Sequence, residues 1–378
     1  MGALALLGVA LLSIPLAVWR GGAFTSTIDL AKLIAVLFLI RTLIESNKHM
    51  RATLWLMMVL LAWYSISSLL SYRQGNFYDV RYGNGMEVER AQGINSLVGS
   101  PNALAGLILA LLPFLIALIR TSRRRHAWVL LLALAGCSIA AIVLTGSRTA
   151  LLSLPILGAY YILRSRHRVV SLAIGIVLAC VTWFSMPAAY QQRYLTVRSY
   201  AEGSRLDDSN EFRLAIWSAG WQMFLHNRII GVGAGQFPTA FGLVYGKQYH
   251  RWMNPHNLLL EVGCELGILG LIAFAYFAVQ IRKAIGVSLR LGRKRAFRFN
   301  YEVALACNVM FIGVLVLSTT GHTMYRPFWY LLGGLAAANL KLVRETQRLV
   351  REAQRKDAHR TEQDKDSQPV LHPESVPA

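Results

Sequence analysis

The stretch Asn254-Pro255-His256-Asn257 stands directly before an apolar run that carries Glu261 and Glu265. Histidine has an unperturbed pKa of about 6.5 and takes a proton readily at neutral pH, which suits it to general-base work. Asn257, Glu261 and Glu265 are spaced i, i+4 and i+8 and share one helical face. Carboxylates in an apolar helix are costly and normally face a bundle interior or an aqueous cavity. One of them, Glu261, is a candidate to orient His256, although i, i+5 is not an ideal same-face spacing. A second reading is open on these residues alone: a His-Asn cap at a helix start, with the glutamates bonding neighbouring helices.

Arginines make up the other half of the constellation. Arg148 ends the Thr145-Gly146-Ser147-Arg148 turn, Arg213 follows Asp208 and Glu211, and Arg326 lies beside His322. The planar guanidinium fork matches phosphate oxygens. Taken singly, each arginine can also be read as snorkelling to lipid headgroups. Asp208 with Glu211 three residues on makes a capping-box-like helix start. Phe212, Ile216, Ala219 and Met223 then form one stripe, and Arg213, Trp217 and Trp221 another, as in an interfacial amphipathic helix. Trp217 and Trp221 are candidates to flank a sugar or polyprenyl group, with packing as their alternative role. Gly231, Gly233 and Gly235 sit in GVGAGQF without a preceding strand or a GK[ST] sequence, which points to a tight turn rather than a nucleotide site. Cys137, Cys180, Cys264 and Cys307 all lie in apolar segments without CxxC spacing and read as buried, inert thiols. No metal-ligand pattern or cofactor motif is visible.

The elements that must position these residues are membrane helices. Of 378 residues, 55% are apolar and 15% charged, and the mean hydropathy is +0.43. Soluble domains of this size carry about 25% charged residues. A soluble enzyme, a disordered chain and a disulfide-stapled secreted domain are excluded. The expected fold is an all-α polytopic bundle of about ten transmembrane helices, near 2–18, 28–44, 52–70, 103–119, 127–144, 149–163, 169–187, 258–281, 303–320 and 327–343. The first run has no basic flank or clear cleavage site and reads as a helix, not a signal peptide.

The net charge of +20 is laid out in a pattern. Basic clusters follow the second, fourth, sixth and eighth helices and recur after Lys341. They fall on one side only if the short segment 149–163, with its Pro155, crosses the membrane. The positive-inside rule makes that side cytoplasmic, with both termini inside. Residues 1–187 are then seven membrane helices with an outer loop at about 71–102, 188–257 form a large, partly helical outer loop, 258–343 hold three more helices, and 344–378 are a cytoplasmic tail. The tail reads as a helical extension fraying into a disordered end. The bases meet anionic membrane lipids, and nucleic acid is not needed to explain them. Arg148 and Arg326 run against the rule, because they sit on short outer turns. Several arginines and one histidine in an outer pocket suit a lipid-linked phosphate or diphosphate.

TGSRTALL (145–152), RLAIWSAGWQMF (213–224), GVGAGQF (231–237) and NPHNLLLEVGCELGILG (254–270) together resemble the O-antigen ligase/polymerase superfamily of bacterial envelope glycosyltransferases. GSPNALAG (99–106), with Asn102, is similar to the Pro-Asn helix start of that family. The resemblance covers about 99–270, and the HNxxLE-type pattern at 256–261 is its most specific part. It implies transfer of a glycan from undecaprenyl diphosphate to lipid A-core at the periplasmic face of the inner membrane, with no metal or cofactor. His256 matches the catalytic histidine, Arg213 the loop arginine and Arg148 the membrane-edge arginine. Asn257, Glu261, Trp217, Trp221, Arg326, His322 and Asn102 are the candidate substrate-binding residues. Such ligases typically have nine helices before the large loop; seven are expected here, which fits two fewer N-terminal helices. An O-antigen polymerase and a protein O-oligosaccharyltransferase use the same donor type and are alternatives. A transporter or flippase of lipid-linked glycans, or a non-catalytic scaffold, represents a different class.

Overall fold

The computed structural model describes residues 1–81, 87–94, 99–165, 167–184, 186–192, 194, 208–246, 252–293 and 297–366. Among the described residues it is a helical bundle with one small hairpin. The helices are α1 (Gly2–Ser13), α2 (Arg20–Leu43), α3 (Asn47–Arg73), α4 (Pro101–Thr121), α5 (Arg125–Leu144), α6 (Arg148–Leu163), α7 (Arg168–Phe184), α8 (Asp208–His226), α9 (Phe237–Ala240), α10 (Leu258–Leu291), α11 (Arg298–Ser318) and α12 (Phe328–Asp366). Strands β1 (Tyr78–Arg81) and β2 (Glu87–Arg90) pair antiparallel. Among the described residues, α2, α3, α4, α5, α10 and α11 are long and apolar enough to cross a membrane, and α1, α6 and α7 are shorter apolar helices. The apolar segment at 327–343 is the first part of α12, which continues unbroken as the polar extension.

Side chains start several of these helices where the sequence changes from polar to apolar. Ser46 Oγ accepts from His49 N–H at α3, Ser100 Oγ from Ala103 N–H at α4, and Asn257 Oδ1 from Leu259 and Leu260 N–H at α10. Each such cap contributes about 1 kcal/mol. Helix α4, apolar all round, is central and packs on α11, as expected for a helix without a polar face. Helix α1 lies against α10, and α12 against α2. With no hydrophobic drive between helices in lipid, association relies on close contact at small residues. Gly2 sits against the backbone of Phe277, and Gly334 against Ile40.

Helix α7 packs on α6 at the rim and exposes Val169, Ile174, Val177 and Val181, a face suited to lipid. It carries Cys180, which is exposed, and Cys137 is half-buried; of the four thiols only Cys264 and Cys307 are buried, because helices at the rim present their apolar side chains to lipid.

The basic segments gather at one end of the bundle. Asn300 Nδ2 donates to Asn47 Oδ1, Arg120 pairs with Glu302, Arg298 donates to the Arg120 carbonyl, and Arg120 lies over the Tyr161 ring near the end of α6. The connections following α2, α4, α6 and α10 thus meet at this end, and α12 runs past it through Asn339, which bonds Asn300. The opposite end carries the hairpin, the α5–α6 turn, the Pro255-His256 segment and the α11–α12 turn.

Candidate active site

At the C-terminus of α5, carbonyls without helical partners must be satisfied from outside. Tyr194 Oη donates to the Val143 carbonyl, and Ala91 N–H and Tyr190 Oη both donate to that of Leu144. Arg90 Nε donates to the Thr145 carbonyl at 2.7 Å, a cation at a helix C-terminus. Tyr190 Oη also bonds the Glu89 carbonyl. The hairpin is thereby docked on the Thr145–Arg148 turn. Arg90 Nη2 reaches on to Asn102 Oδ1 at 2.8 Å, which ties the Pro-Asn start of α4 to the same cation. Arg90 is 7% exposed, and burial lowers its pKa to about 10.

The facing wall is the α11–α12 turn. Thr149 and Thr320 hydroxyls meet at 2.8 Å and join it to the start of α6. Ser318 and Trp329 side chains bond Thr323 Oγ1. From α10, Glu261 Oε2 accepts from Met324 N–H at 3.0 Å, and Glu265 Oε2 accepts from Tyr325 Oη at 2.9 Å. Both glutamates are buried. They fix the turn that presents His322 and Arg326. Glu261 does not line the cavity and does not hold His256, so the spacing that made it a candidate orienter serves the turn instead.

Glu265 also organises the glycine loop, accepting from Gly235 N–H at 2.7 Å and Phe237 N–H at 3.2 Å. Helix α10 breaks at Gly267 (φ 63°). Cys264 and Glu265 carbonyls accept from Val232 and Gly233 N–H, and Ile268 N–H donates to the Arg228 carbonyl. Gly231 and Gly267 interlock: a Cβ on Gly267 would lie 2.3 Å from the Ile229 backbone, and one on Gly231 as close to Glu265. Hydrogen bonds within the protein take up these loop N–H groups, in keeping with a turn and not a phosphate cradle.

Helix α8 and the Pro255-His256 segment form the third wall. Trp217 Nε1 donates to the Pro255 carbonyl at 3.0 Å, which makes it a strut for the histidine segment. Trp221 stands away from the site, 56% exposed and against Phe224. Asn257 is the α10 cap, and its Nδ2 reaches the Thr319 carbonyl at 3.4 Å. His256 itself has φ 48°, a left-handed conformation that is uncommon and strained for a residue with a Cβ. Asp208 does start α8, but its side chain and that of Glu211 lie outside the described residues.

The three walls enclose a cavity of 380 Å3. Arg90, Arg148, Arg213 and Arg326 line it with His256 and His322, and Asn102 contributes to one side. Six sequence candidates (Arg148, Arg213, His256, His322, Arg326 and Asn102) are thus brought together, whereas Asn257, Glu261, Trp217 and Trp221 stand outside the lining. Arg90 was not among the candidates. It falls in an outer loop with no motif around it, and only its bonds to Thr145 and Asn102 reveal its place.

The two imidazole rings are 5.2 Å apart, edge to face. Burial first, and then Arg213, lower the His256 pKa to about 4. Burial, His256 and Arg326 lower that of His322 to about 3. Both rings are neutral at pH 7. Arg326 Nη2 lies 3.5 Å from His322 Nε2; arginine can only donate, so this contact leaves the His322 proton on Nδ1. The cavity therefore combines concentrated positive charge with two neutral bases, a setting for an anion and a hydroxyl.

The O-antigen ligase family profile matches residues 133–275. The match spans Arg148, Arg213 and His256 and ends before His322 and Arg326. The chain is also similar to a ComP-specific O-oligosaccharyltransferase of Acinetobacter baylyi, 26% identical over 255 residues, or 65% of this chain and 44% of that protein. The chain thus spans less than half the length of that relative. Over residues 133–275 the chain is thus similar to the O-antigen ligase family, and the matched stretch carries three of the residues that line the cavity, Arg148, Arg213 and His256.

Proposed function

We propose that the protein is an O-antigen ligase-type glycosyltransferase of the bacterial inner membrane, which transfers a glycan from undecaprenyl diphosphate to lipid A-core in a cavity that faces the periplasm. One observation carries this reading: four arginines and two neutral histidines converge on a single 380 Å3 cavity. It lies at the end of the bundle away from the basic connections, and the positive-inside rule assigns that end to the periplasm.

The donor is already activated, so the chain needs only to bind the diphosphate and make a nucleophile. The acceptor oxygen attacks the anomeric carbon as the bond from that carbon to the diphosphate oxygen breaks. The electron pair leaves on the diphosphate, and the hydroxyl proton passes to His256. Arg148 and Arg213 bind the negative charge as it grows, through bonds that strengthen in the transition state, and Arg90 and Arg326 hold the opposite sides. A single displacement inverts the anomeric centre. Donor charge also offsets the arginines around His256, which makes the ring more basic once the diphosphate is bound.

A protein acceptor is the second reading, favoured by the similarity to the ComP-specific enzyme. One assay tests both. Purified protein receives a polyprenyl-diphosphate glycan with lipid A-core, a second lipid-linked glycan or a pilin-like protein as acceptor. Product on lipid A-core alone supports the ligase, and product on the others supports the polymerase or the protein transferase. His256→Ala is expected to abolish transfer at wild-type protein levels, and Arg213→Lys to impair it severely through loss of the bidentate fork. No transfer to any acceptor, or full transfer by His256→Ala, overturns the proposal.

A further inference from the structure

The basic end of the bundle carries a second, larger cavity. It measures 940 Å3 and lies between the start of α3, the α4–α5 connection and the start of α11. Arg51, Arg120, Arg123, Arg124 and Arg298 line it. Trp55 and Leu130 supply an apolar wall. An adjoining cavity of 510 Å3 shares Arg51 and Trp55 and adds Lys48.

The arrangement is built, not a scatter of surface bases. Arg51 stacks over the Phe299 ring, 4.5 Å from its centroid. Arg298 Nη2 donates to the Arg120 carbonyl at 3.0 Å. Arg120 pairs with Glu302 at 3.1 Å, so one of the five guanidinium charges is offset and a strong positive excess remains. Arg123 and Arg124 are exposed at the mouth.

The surroundings indicate the class of ligand. Leu130 at the rim is 62% exposed, and the outward faces of α3 and α5 carry exposed Leu56, Val59, Val129 and Leu132. In a membrane these faces meet acyl chains, while the cavity lies at headgroup depth. A free anion needs no such apolar flank. A lipid with an anionic headgroup matches both halves, and basic pockets between membrane helices are suited to such headgroups. Two adjoining basic chambers that share Arg51 suit two phosphates.

We propose that this end of the bundle binds an anionic phospholipid, favouring a headgroup with two phosphodiesters, with its acyl chains along α3 and α5. The site is separate from the candidate active site and does not depend on the proposed transfer reaction.

The test uses the full chain in nanodiscs of a zwitterionic lipid, titrated with cardiolipin or with phosphatidylglycerol and read by native mass spectrometry. Cardiolipin is expected to bind tighter than phosphatidylglycerol, and millimolar inorganic phosphate is expected not to displace it. Each arginine that lines the cavity is expected to contribute about fivefold to binding of the lipid seated there. The Arg123→Gln/Arg124→Gln variant, whose side chains are exposed, is expected to lose roughly 25-fold in affinity. Adding Arg51→Gln is expected to bring the loss to the order of 100-fold. A control, Arg282→Gln/Lys283→Gln/Arg290→Gln, removes three charges outside both cavities and is expected to keep near wild-type affinity. An equal loss in the control, displacement by phosphate, or unchanged affinity in Arg123→Gln/Arg124→Gln overturns the proposal.

Discussion

The acid limb of catalysis follows from the surroundings of His256. An exposed histidine titrates at about 6.5 and would be roughly 90% protonated at pH 5.5, which would cut a base-dependent rate about tenfold below its value at pH 7.5. Burial and Arg213 hold His256 at about 4. At that value the ring is still more than ~95% neutral at pH 5.5. The expected kcat/KM is therefore nearly flat from pH 7.5 to 5.5, with its acid limb near 4. The donor diphosphate diester and the acceptor hydroxyl carry no group that titrates in this range. The limb of kcat should lie at higher pH than that of kcat/KM, because bound diphosphate offsets Arg213. Arg213→Gln should raise the kcat/KM limb while lowering its plateau. The measurement is initial rates of glycan transfer in nanodiscs across pH 4.5–8. A tenfold fall in kcat/KM centred near 6.5 in the wild type would refute the argument that burial and Arg213 keep the base neutral. Stability carries the same sign. A ring whose folded pKa lies below its unfolded value contributes stability that is full above about 6.5 and declines as pH falls toward 4.

Other expectations follow from single contacts. Arg90→Lys cannot serve both the Thr145 carbonyl and Asn102 Oδ1; it should cost about 1–3 kcal/mol for the acceptor left unbonded and reduce turnover, and a wild-type thermal midpoint with wild-type turnover would sink the assignment. Gly267→Ala puts a Cβ 2.3 Å from the Ile229 backbone at φ 63°; roughly 2 kcal/mol or more of destabilisation is expected from strain alone, visible as a lowered thermal midpoint in detergent. Trp217→Phe removes the bond to the Pro255 carbonyl and should lower kcat more than it raises KM, whereas Trp221→Ala should leave transfer unchanged. Equal effects of the two tryptophan changes would contradict the separation of strut from bystander.

Helix positions, the one-sided distribution of bases and the key motif residues were legible in the sequence because each rests on short-range physics. Twenty apolar residues must cross or be buried, basic residues stay on one side, and Asn257 caps the helix that follows it. His256, Arg148 and Arg213 could be named as candidates because an imidazole takes a proton at neutral pH and a guanidinium fork suits phosphate oxygens, and the structure places all three on one cavity. Arg90 could not. Its role depends on carbonyls of α5 and on Asn102, residues whose proximity no local pattern encodes. Glu261 and Trp217 show the converse: one was a candidate to orient His256 and the other to flank a sugar or polyprenyl group, yet Glu261 holds the α11–α12 turn and Trp217 bonds the Pro255 carbonyl. The same holds for the glycines, since Gly231 is required by the backbone at Glu265 and Gly267 by the backbone at Ile229, contacts between segments far apart in the chain. Sequence alone determined a multi-pass helical bundle and the chemistry that its unusual residues can support. The tertiary structure decided which of them share a cavity, because long-range hydrogen bonds to helix ends and turns set that geometry.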